Sequence, residues 1–260
     1  MGTQNDDFIW GTDGDDVIVG LSGDDEIYSF LGNDTVCGNS GEDASSDLGG
    51  DDVFIGGDGD DVVIGGRGDD IVRLGRGADH FEAWDDAEGY LQIFYGPGDD
   101  RDDGIKLPVG GTVNGGPGDD VIGVETVPDV PMSFVGGDGR DEGILHVDDS
   151  TGTAAMLLSQ RTAEIRVGAG PVGRYSGWEE TYLFGNHDWV YRGTNGHEGV
   201  TAVDGSLRAR LYGGSDYAYA PGDRSSFVDG GAGYDYADGG SRAAPLICVS
   251  IEVSSCDRNR

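Results

Sequence analysis

The chain has 260 residues, of which 50 are acidic and 16 are basic, so its formal net charge at pH 7 is −34. Such a charge opposes any compact state unless cations bind, and it excludes nucleic acid and anionic membrane surfaces as partners, because both require a basic patch. The 50 glycines fit either low-complexity disorder or a fold that needs positive φ angles, and the periodic placement of the apolar residues favours the fold.

Residues 1–10 are an N-terminal lead-in without a basic segment followed by an apolar stretch, so we expect no signal sequence in this chain. No apolar run approaches the roughly 18 residues that a membrane span needs, and we expect no membrane insertion.

From residue 11 to residue 82 a nine-residue unit is repeated eight times without a gap. Each unit has an aspartate at position six and a glycine two residues before it, and in seven of the eight units an apolar residue follows two residues after it. The sixth-position aspartates are Asp16, Asp25, Asp34, Asp43, Asp52, Asp61, Asp70 and Asp79.

The unit has a simple physical interpretation. Its first six positions predict a tight turn, for which glycine supplies the backbone angles, and positions seven to nine predict a short strand whose eighth residue points inward. The turn directs backbone carbonyls towards one point, where the aspartate adds a carboxylate. Ligation by oxygen alone suits a hard cation such as Ca²⁺, which accepts six to eight oxygens.

The pattern G-G-x-G-x-D-x-U-x, with U apolar, resembles the RTX (haemolysin-type) calcium-binding repeat of secreted bacterial proteins. The resemblance implies an all-β fold: residues 11–82 form a right-handed parallel β-roll with two units in each coil of about 18 residues. Alternate aspartates would then line opposite edges, and several Ca²⁺ ions would bind between successive coils. The turn glycines expected to take part are Gly14, Gly23, Gly57, Gly59, Gly66 and Gly68. The fifth-position residues Asp15, Asp24, Asp51, Asp60 and Asp69 are expected to be solvated and to bind no ion directly.

Some units depart from the pattern. Ser29, Asp47 and Leu74 replace the first glycine of their units, and Ser45 replaces an apolar residue at position eight. The fourth and fifth units, residues 38–46 and 47–55, are therefore the ones in which packing and metal binding are in doubt.

Residues 83–240 are expected to continue as a wider, irregular parallel β-solenoid. Further units occur at 115–123 and 230–238, and 136–144 is a near match with Gly143 in the apolar position. The candidate ligands in this part are Asp100, Asp120, Asp141 and Asp235. The first three are 20 and 21 residues apart, so the coils are longer and one edge is expected to have lost its calcium turns. For residues 145–212, a small separate β domain remains the alternative.

Residues 241–260 are expected to cap the solenoid, since its last coil would otherwise expose the core. Cys248 and Cys256 lie close together here and predict a disulfide that pins the cap. Cys37, at position nine of its unit, is expected to face outward.

Two other groups of residues each have a functional and a purely structural interpretation. His187-Asp188 and His197-Glu198 could bind zinc or act in acid–base chemistry, but the favoured interpretation is that they are surface turn residues. The aromatic residues of the second half could stack on sugars or simply pack the core. These residues are Tyr175, Trp178, Trp189, Tyr191, Tyr217 and Tyr219.

The sequence therefore predicts a secreted, monomeric calcium-binding repeat protein that folds when several Ca²⁺ ions bind. It would act as a structural or secretion-linked module, or as a surface-interaction module that meets an extracellular glycan or protein, with no catalytic residues. The alternative is a β-solenoid enzyme or adhesin that acts on an extracellular polysaccharide.

Overall fold

The computed structural model describes residues 1–83, 89–148, 155–169, 171–221, 224–240, 245–251 and 253–254. These residues form strands, turns and irregular connections, and none of them is helical. Accordingly, the described part of the chain contains no helix with the length and apolarity that a membrane crossing requires. The chain divides into two compact units: residues 1–125 with 136–139, and residues 126–135 with 140–260.

The first unit is built from short strands separated by tight turns. In chain order the strands are β1 (Phe8–Trp10), β2 (Val17–Ser22), β3 (Glu26–Leu31), β4 (Thr35–Ser40), β5 (Ala44–Gly49), β6 (Val53–Asp58), β7 (Val62–Gly65), β8 (Ile71–Arg76), β9 (His80–Ala83), β10 (Leu91–Phe94), β11 (Arg101–Leu107), β12 (Gly111–Pro117) and β13 (Val121–Thr126).

Odd and even strands of this unit form separate parallel sheets. One sheet has the order β1-β3-β5-β7-β9, and the other runs β2-β4-β6-β8-β10-β12. Neighbouring strands pair equivalent positions of successive coils: Val17 pairs with Thr35, and Thr35 pairs with Val53. Two nine-residue units therefore complete one coil, and the expected β-roll is confirmed.

The strands that follow are β14 (Met132–Asp138), β15 (Glu142–Val147), β16 (Ala155–Ser159), β17 (Glu164–Val167), β18 (Tyr175–Ser176), β19 (Glu180–Phe184), β20 (Asp188–Arg192), β21 (Gly199–Ala202), β22 (Ser206–Arg210), β23 (Gly213–Gly214), β24 (Tyr217–Tyr219), β25 (Ser226–Asp229), β26 (Ala232–Gly233), β27 (Tyr236–Asp238), β28 (Leu246–Val249) and β29 (Val253–Ser254).

The second unit repeats the same principle. One sheet has the order β15-β19-β21-β24-β27-β29, and a second has the order β17-β16-β20-β22-β25-β28. The strand pairs within these two sheets are parallel, except for the antiparallel hairpin between β16 and β17. The described residues between 155 and 240 thus continue the solenoid, with a local hairpin as the exception.

Alternation along each strand builds the core. All eight residues at position eight of the repeat are buried: Ile18, Ile27, Val36, Ser45, Phe54, Val63, Val72 and Phe81. The second unit instead buries large aromatic side chains, among them Trp178, Trp189, Tyr175 and Tyr191. Gly143 stands where an apolar residue was expected, because a Cβ there would lie 2.8 Å from the Trp178 ring, which fills that space.

This alternation can be tested with neighbouring residues of β6. Phe54 is 1% exposed and Ile55 is 39% exposed. In saturating calcium, we expect Phe54→Ala to lower the free energy of unfolding by roughly 3–5 kcal/mol through the cavity that it leaves. Ile55→Ala should cost well under half as much in the same urea titration. Equal losses would contradict the inward orientation of position eight.

Candidate metal sites at the turns

The sixth-position aspartates of the first unit stack in two ladders, as the alternation of the repeat predicts. In each ladder, one carboxylate oxygen (Oδ1) accepts a hydrogen bond from the backbone N–H of the aspartate one coil earlier. The short ladder joins Asp16, Asp34, Asp52 and Asp70 with N–O distances of 2.8, 2.6 and 3.0 Å. The long ladder joins Asp25, Asp43, Asp61, Asp79, Asp100 and Asp120 with distances of 2.9, 2.9, 2.9, 2.7 and 3.0 Å.

The other carboxylate oxygen of these residues is the chemically informative one. This Oδ2 atom is buried and has no hydrogen-bond partner in Asp25, Asp34, Asp43, Asp52, Asp61, Asp70, Asp79 and Asp100. A buried carboxylate oxygen without a donor costs free energy unless a cation or a proton satisfies it. A row of such atoms is therefore what a series of cation sites requires.

Glycine at position one brings the backbone close to these oxygens. A Cβ atom on Gly20, Gly38 or Gly56 would lie 2.2, 2.2 or 2.4 Å from the Oδ2 atom of the aspartate in its own unit. No side chain tolerates that approach, so the repeat needs glycine here for space as well as for backbone angles.

The turn glycines of the prediction do not all have the same role. Gly23, Gly57, Gly59 and Gly68 have φ angles between 108° and 148°, which favour glycine. Gly66 is buried and donates its N–H to Asp47. Gly14 has open space around it.

The fifth-position residues are exposed as expected, but they also carry a structural role that the sequence did not indicate. Asp15 accepts a hydrogen bond from the Asn33 N–H at 2.8 Å, and Asp60 accepts one from the Ala78 N–H at 2.8 Å. The same bond links Asp24 to Glu42 and Asp51 to Asp69. Each coil is thus fastened to the next by a solvent-facing carboxylate in addition to a buried one.

Burial sets the protonation behaviour of the ladders. It raises the pKa of Asp61 and Asp100 to about 7, and that of Asp52, Asp70 and Asp79 to about 6, while hydrogen bonds from the backbone partly oppose the effect. Neighbouring carboxylates add to the rise in pKa. Ionised ladders are therefore unfavourable near neutral pH unless cations compensate them.

The short ladder ends after Asp70. Gln92 pairs with Ile71, so Leu91 occupies the place of the next aspartate. The long ladder continues through Asp100 and Asp120, and one edge has therefore lost its aspartates, in agreement with the sequence.

A ladder of the same kind occurs in the second unit in two described segments, and the sequence predicted only its ends. Asp141 donates its N–H to Glu179 at 2.8 Å, Glu198 donates to Asp216 at 3.0 Å, and Asp216 donates to Asp235 at 3.0 Å. The residues missed are Glu179, Glu198 and Asp216. A glycine stands two residues before each of them, and this was the available signal.

The lead-in also belongs to the repeat. Asp7 donates its N–H to Asp25 Oδ1 at 2.9 Å, and Phe8–Trp10 pair with β3. Asp7 precedes Asp16 by one unit, with Asn5 in the place of the usual glycine, and this substitution hid the unit in the sequence.

The histidine pairs do not form one site. His187 is fully buried, lies 3.3 Å from the Val147 carbonyl oxygen and packs edge-on against Trp189, so the surface-turn interpretation was wrong for it. His197 and Asp188 are exposed, whereas Glu198 is buried in the ladder of the second unit. Of the aromatic candidates, Tyr175, Trp178, Trp189 and Tyr191 belong to the core, and Tyr217 is exposed.

The cysteines can be placed only in part. Cys37 is a half-buried free thiol, and Cys248 is disulfide-bonded. Cys256, its predicted partner, lies outside the described residues, so the Cys248–Cys256 disulfide stays a prediction.

The donor set fits calcium. The ladders offer carboxylate oxygens next to glycine backbone, with no nitrogen or sulfur ligand. Within the described ranges, no three side chains of His, Cys, Asp or Glu form a ready chelating group. Each ion would therefore take one or two carboxylate oxygens and complete its shell with turn carbonyls.

Comparison with known families agrees with this chemistry. A family model of the RTX calcium-binding nonapeptide repeat (4 copies) matches residues 1–36, 10–44 and 48–81. No curated protein sequence is significantly similar to the chain. The fold and the turns thus define a calcium-binding repeat protein. The family match places RTX, or haemolysin-type, calcium-binding repeats within residues 1–44 and 48–81 of this chain.

The raised pKa values predict how the ion-free chain responds to pH. The pKa of Asp61 in the folded state is about 7, against about 3.9 for an unfolded aspartate. Between these values the folded state holds more protons, so its stability falls as pH rises. In chelator, we therefore expect β-sheet circular dichroism to increase as pH is lowered from about 7.5 to about 5. A decrease of the β-sheet signal as the pH is lowered, in protein that size exclusion shows to be monomeric, would contradict this prediction.

Proposed function

We propose that Ca²⁺ ions bind between successive coils at the sixth-position carboxylates, and that their binding drives the folding of the chain. The observation that carries this proposal is the row of buried Oδ2 atoms without hydrogen-bond partners, from Asp25 to Asp100. Proposed ligands in the same positions are Asp16, Asp120, Asp141 and Asp235, and, in the second unit, Glu179, Glu198 and Asp216.

The net charge of −34 explains why folding should depend on calcium binding. Without cations, stacked carboxylates repel one another across a strand spacing of about 4.8 Å, and the unfolded chain relieves that repulsion by expanding. A ligand that binds only the folded state stabilises it in proportion to the logarithm of its concentration, and every filled site adds to this effect.

Such a chain is suited to work outside the cell. Extracellular calcium modules bind in the 10⁻⁴–10⁻³ M range, on the order of extracellular calcium. RTX repeat proteins are typically secreted bacterial proteins. We infer that the chain stays expanded where calcium is scarce, which favours export, and folds outside as a structural or surface-interaction module.

The decisive comparison uses adjacent aspartates of one turn. Asp61→Asn keeps a hydrogen-bond acceptor but removes a buried negative charge, whereas Asp60→Asn makes the same change at an exposed position. We expect Asp61→Asn to raise the calcium concentration at half-folding by at least about tenfold. Asp60→Asn should change it less than about threefold, because only a surface hydrogen bond is altered.

The readout is far-ultraviolet circular dichroism in chelator and then in rising calcium. A cooperative gain of β signal in the unaltered chain supports folding by calcium. Full folding in chelator at neutral pH, with no response to calcium, would overturn the proposal. Equal effects of the two substitutions would show that the sixth position is not the ligand.

A depression on the second unit favours a second role, in binding a neutral saccharide. On the outer face, Glu180, Gly199, Tyr217 and Tyr236 form one row across neighbouring strands. Gly199 leaves a gap in this row, and the nearest atom to an added Cβ there would be Glu180 Cγ at 3.5 Å. The resulting cavity has a volume of about 370 Å³.

The walls of this depression suit the two kinds of surface on a sugar ring. The Tyr217 ring is stacked on Tyr236 with a centroid distance of 5.4 Å and an angle of 4°, so it is held as a flat wall. Tyr182 lies on the other side, and Arg140, Glu180 and His197 supply hydrogen-bonding groups. Aromatic faces contact the apolar faces of sugar rings while polar groups bind hydroxyls. Glutamates outnumber the arginine, which disfavours acidic polymers.

The saccharide role is tested with calcium-loaded protein on an array of neutral glycans. We expect binding that Tyr217→Ala reduces at least about tenfold, because the substitution removes the aromatic wall against which the sugar ring would pack. Tyr234→Ala removes another exposed tyrosine, which lines no part of this cavity, and should leave binding unchanged. If no neutral glycan binds, the saccharide role is wrong.

A further inference from the structure

Asp47 is a buried carboxylate that the repeat does not call for. Position one is an inward position, and Asp47 is 2% exposed. The other units of the β-roll place small or apolar residues there: Gly11, Gly20, Ser29, Gly38, Gly56, Gly65 and Leu74. An acidic residue in this position needs a physical reason, because burying a charge is costly.

The contacts of Asp47 satisfy only half of its carboxylate. Its Oδ2 atom accepts a hydrogen bond from the Gly66 N–H at 2.9 Å. Its Oδ1 atom is buried and has no hydrogen-bond partner. A Cβ on Gly66 would lie 2.1 Å from Oδ1, so glycine at position 66 is what admits this carboxylate.

The surroundings of Asp47 are negative. The charges of Asp52, Asp70 and Asp34 raise the pKa of Asp47, after the larger effect of burial. The Oδ2 atoms of Asp52 and Asp70 are likewise buried and have no hydrogen-bond partner. Three carboxylates of the short ladder region thus each keep one oxygen without a donor.

A proton on Asp47 does not resolve this arrangement well. A proton on Oδ1 would neutralise only Asp47, whereas the Oδ2 atoms of Asp52 and Asp70 are also buried without a hydrogen bond. A cation shared by Asp47 and one of these ladder carboxylates would instead satisfy two such oxygens, with turn carbonyls completing its shell. The hydrogen bond from Gly66 belongs to the same unit as Asp70, which places the Asp47 carboxylate at the step between Asp52 and Asp70.

We propose that Asp47 is an additional calcium ligand, outside the repeat consensus, at the step between Asp52 and Asp70. This inference rests on the proposed function of the sixth-position carboxylates. The added carboxylate gives this step more negative charge than any neighbouring step of the short ladder, and the charge of the ligands is one of the factors that set calcium affinity. The step therefore fills at the lowest calcium concentration and is the first point of the ladder to become ordered.

The test compares Asp47→Asn with Asp51→Asn in the full chain. Both remove one negative charge from the same unit, but Asp51 is exposed. We expect Asp47→Asn to weaken the tightest calcium-binding step at least about tenfold in calorimetric titrations, with the weaker steps unchanged. It should also delay protection of the Gly66 amide in hydrogen exchange as calcium rises. Asp51→Asn should leave both unchanged.

A second substitution distinguishes the loss of a calcium ligand from misfolding of the variant. Asp47→Gly restores the consensus glycine and should fold fully in saturating calcium while still lacking the tightest step. If either variant retains that step, Asp47 is not a ligand. If Asp47→Asn instead stabilises the chain in chelator without loss of calcium binding, Asp47 holds a proton and the inference is wrong. If the unaltered chain binds no calcium, the proposed function fails first.

Discussion

The structure depends on a carboxylate that is used twice. In each ladder, one carboxylate oxygen of an aspartate accepts a hydrogen bond from the backbone of the preceding coil, as the bond from the Asp61 N–H to Asp79 shows. The second oxygen is buried and makes no hydrogen bond, and this is the atom at which we propose that a cation binds. The first bond fixes the distance between coils, and that distance determines where the second oxygen lies. The contact between successive coils and the proposed metal sites therefore depend on one residue type in one position.

Glycine makes this double use possible, and it also limits where variation is tolerated. A Cβ at Gly38 would collide with Asp43, and one at Gly41 would lie 2.0 Å from the Gly23 carbonyl oxygen. Replacements at position one therefore survive only where the turn changes its contacts. Leu74 does so by joining the core, fully buried. Asp47 does so by using the backbone of Gly66 as its donor.

The nine-residue period of the sequence predicts most of the fold of the first unit. Because position six and position eight recur every nine residues, the sequence predicts the strands, the inward residues and the two ladders of the first unit, down to the register between Asp34 and Asp52. The repeat pattern did not identify positions at which a different residue type takes the same structural role. Glu198 replaces aspartate, and Asn5 replaces glycine. A glutamate can reach the same donor with a longer side chain. The hydrogen bond between coils is therefore kept although the repeat pattern is no longer recognisable in the sequence.

Other features could not follow from spacing. The burial of His187 depends on its packing against Trp189 and on the Val147 carbonyl, and these groups are brought together only by the stacking of distant coils. The same holds for Asp102, an inward carboxylate that receives hydrogen bonds from Tyr95 and the Phe81 N–H and pairs with His80. Asp102 has a partner at both carboxylate oxygens. The ladder aspartates from Asp25 to Asp100 have a donor at one oxygen only, and this difference is the reason why we propose them, and not Asp102, as ligands.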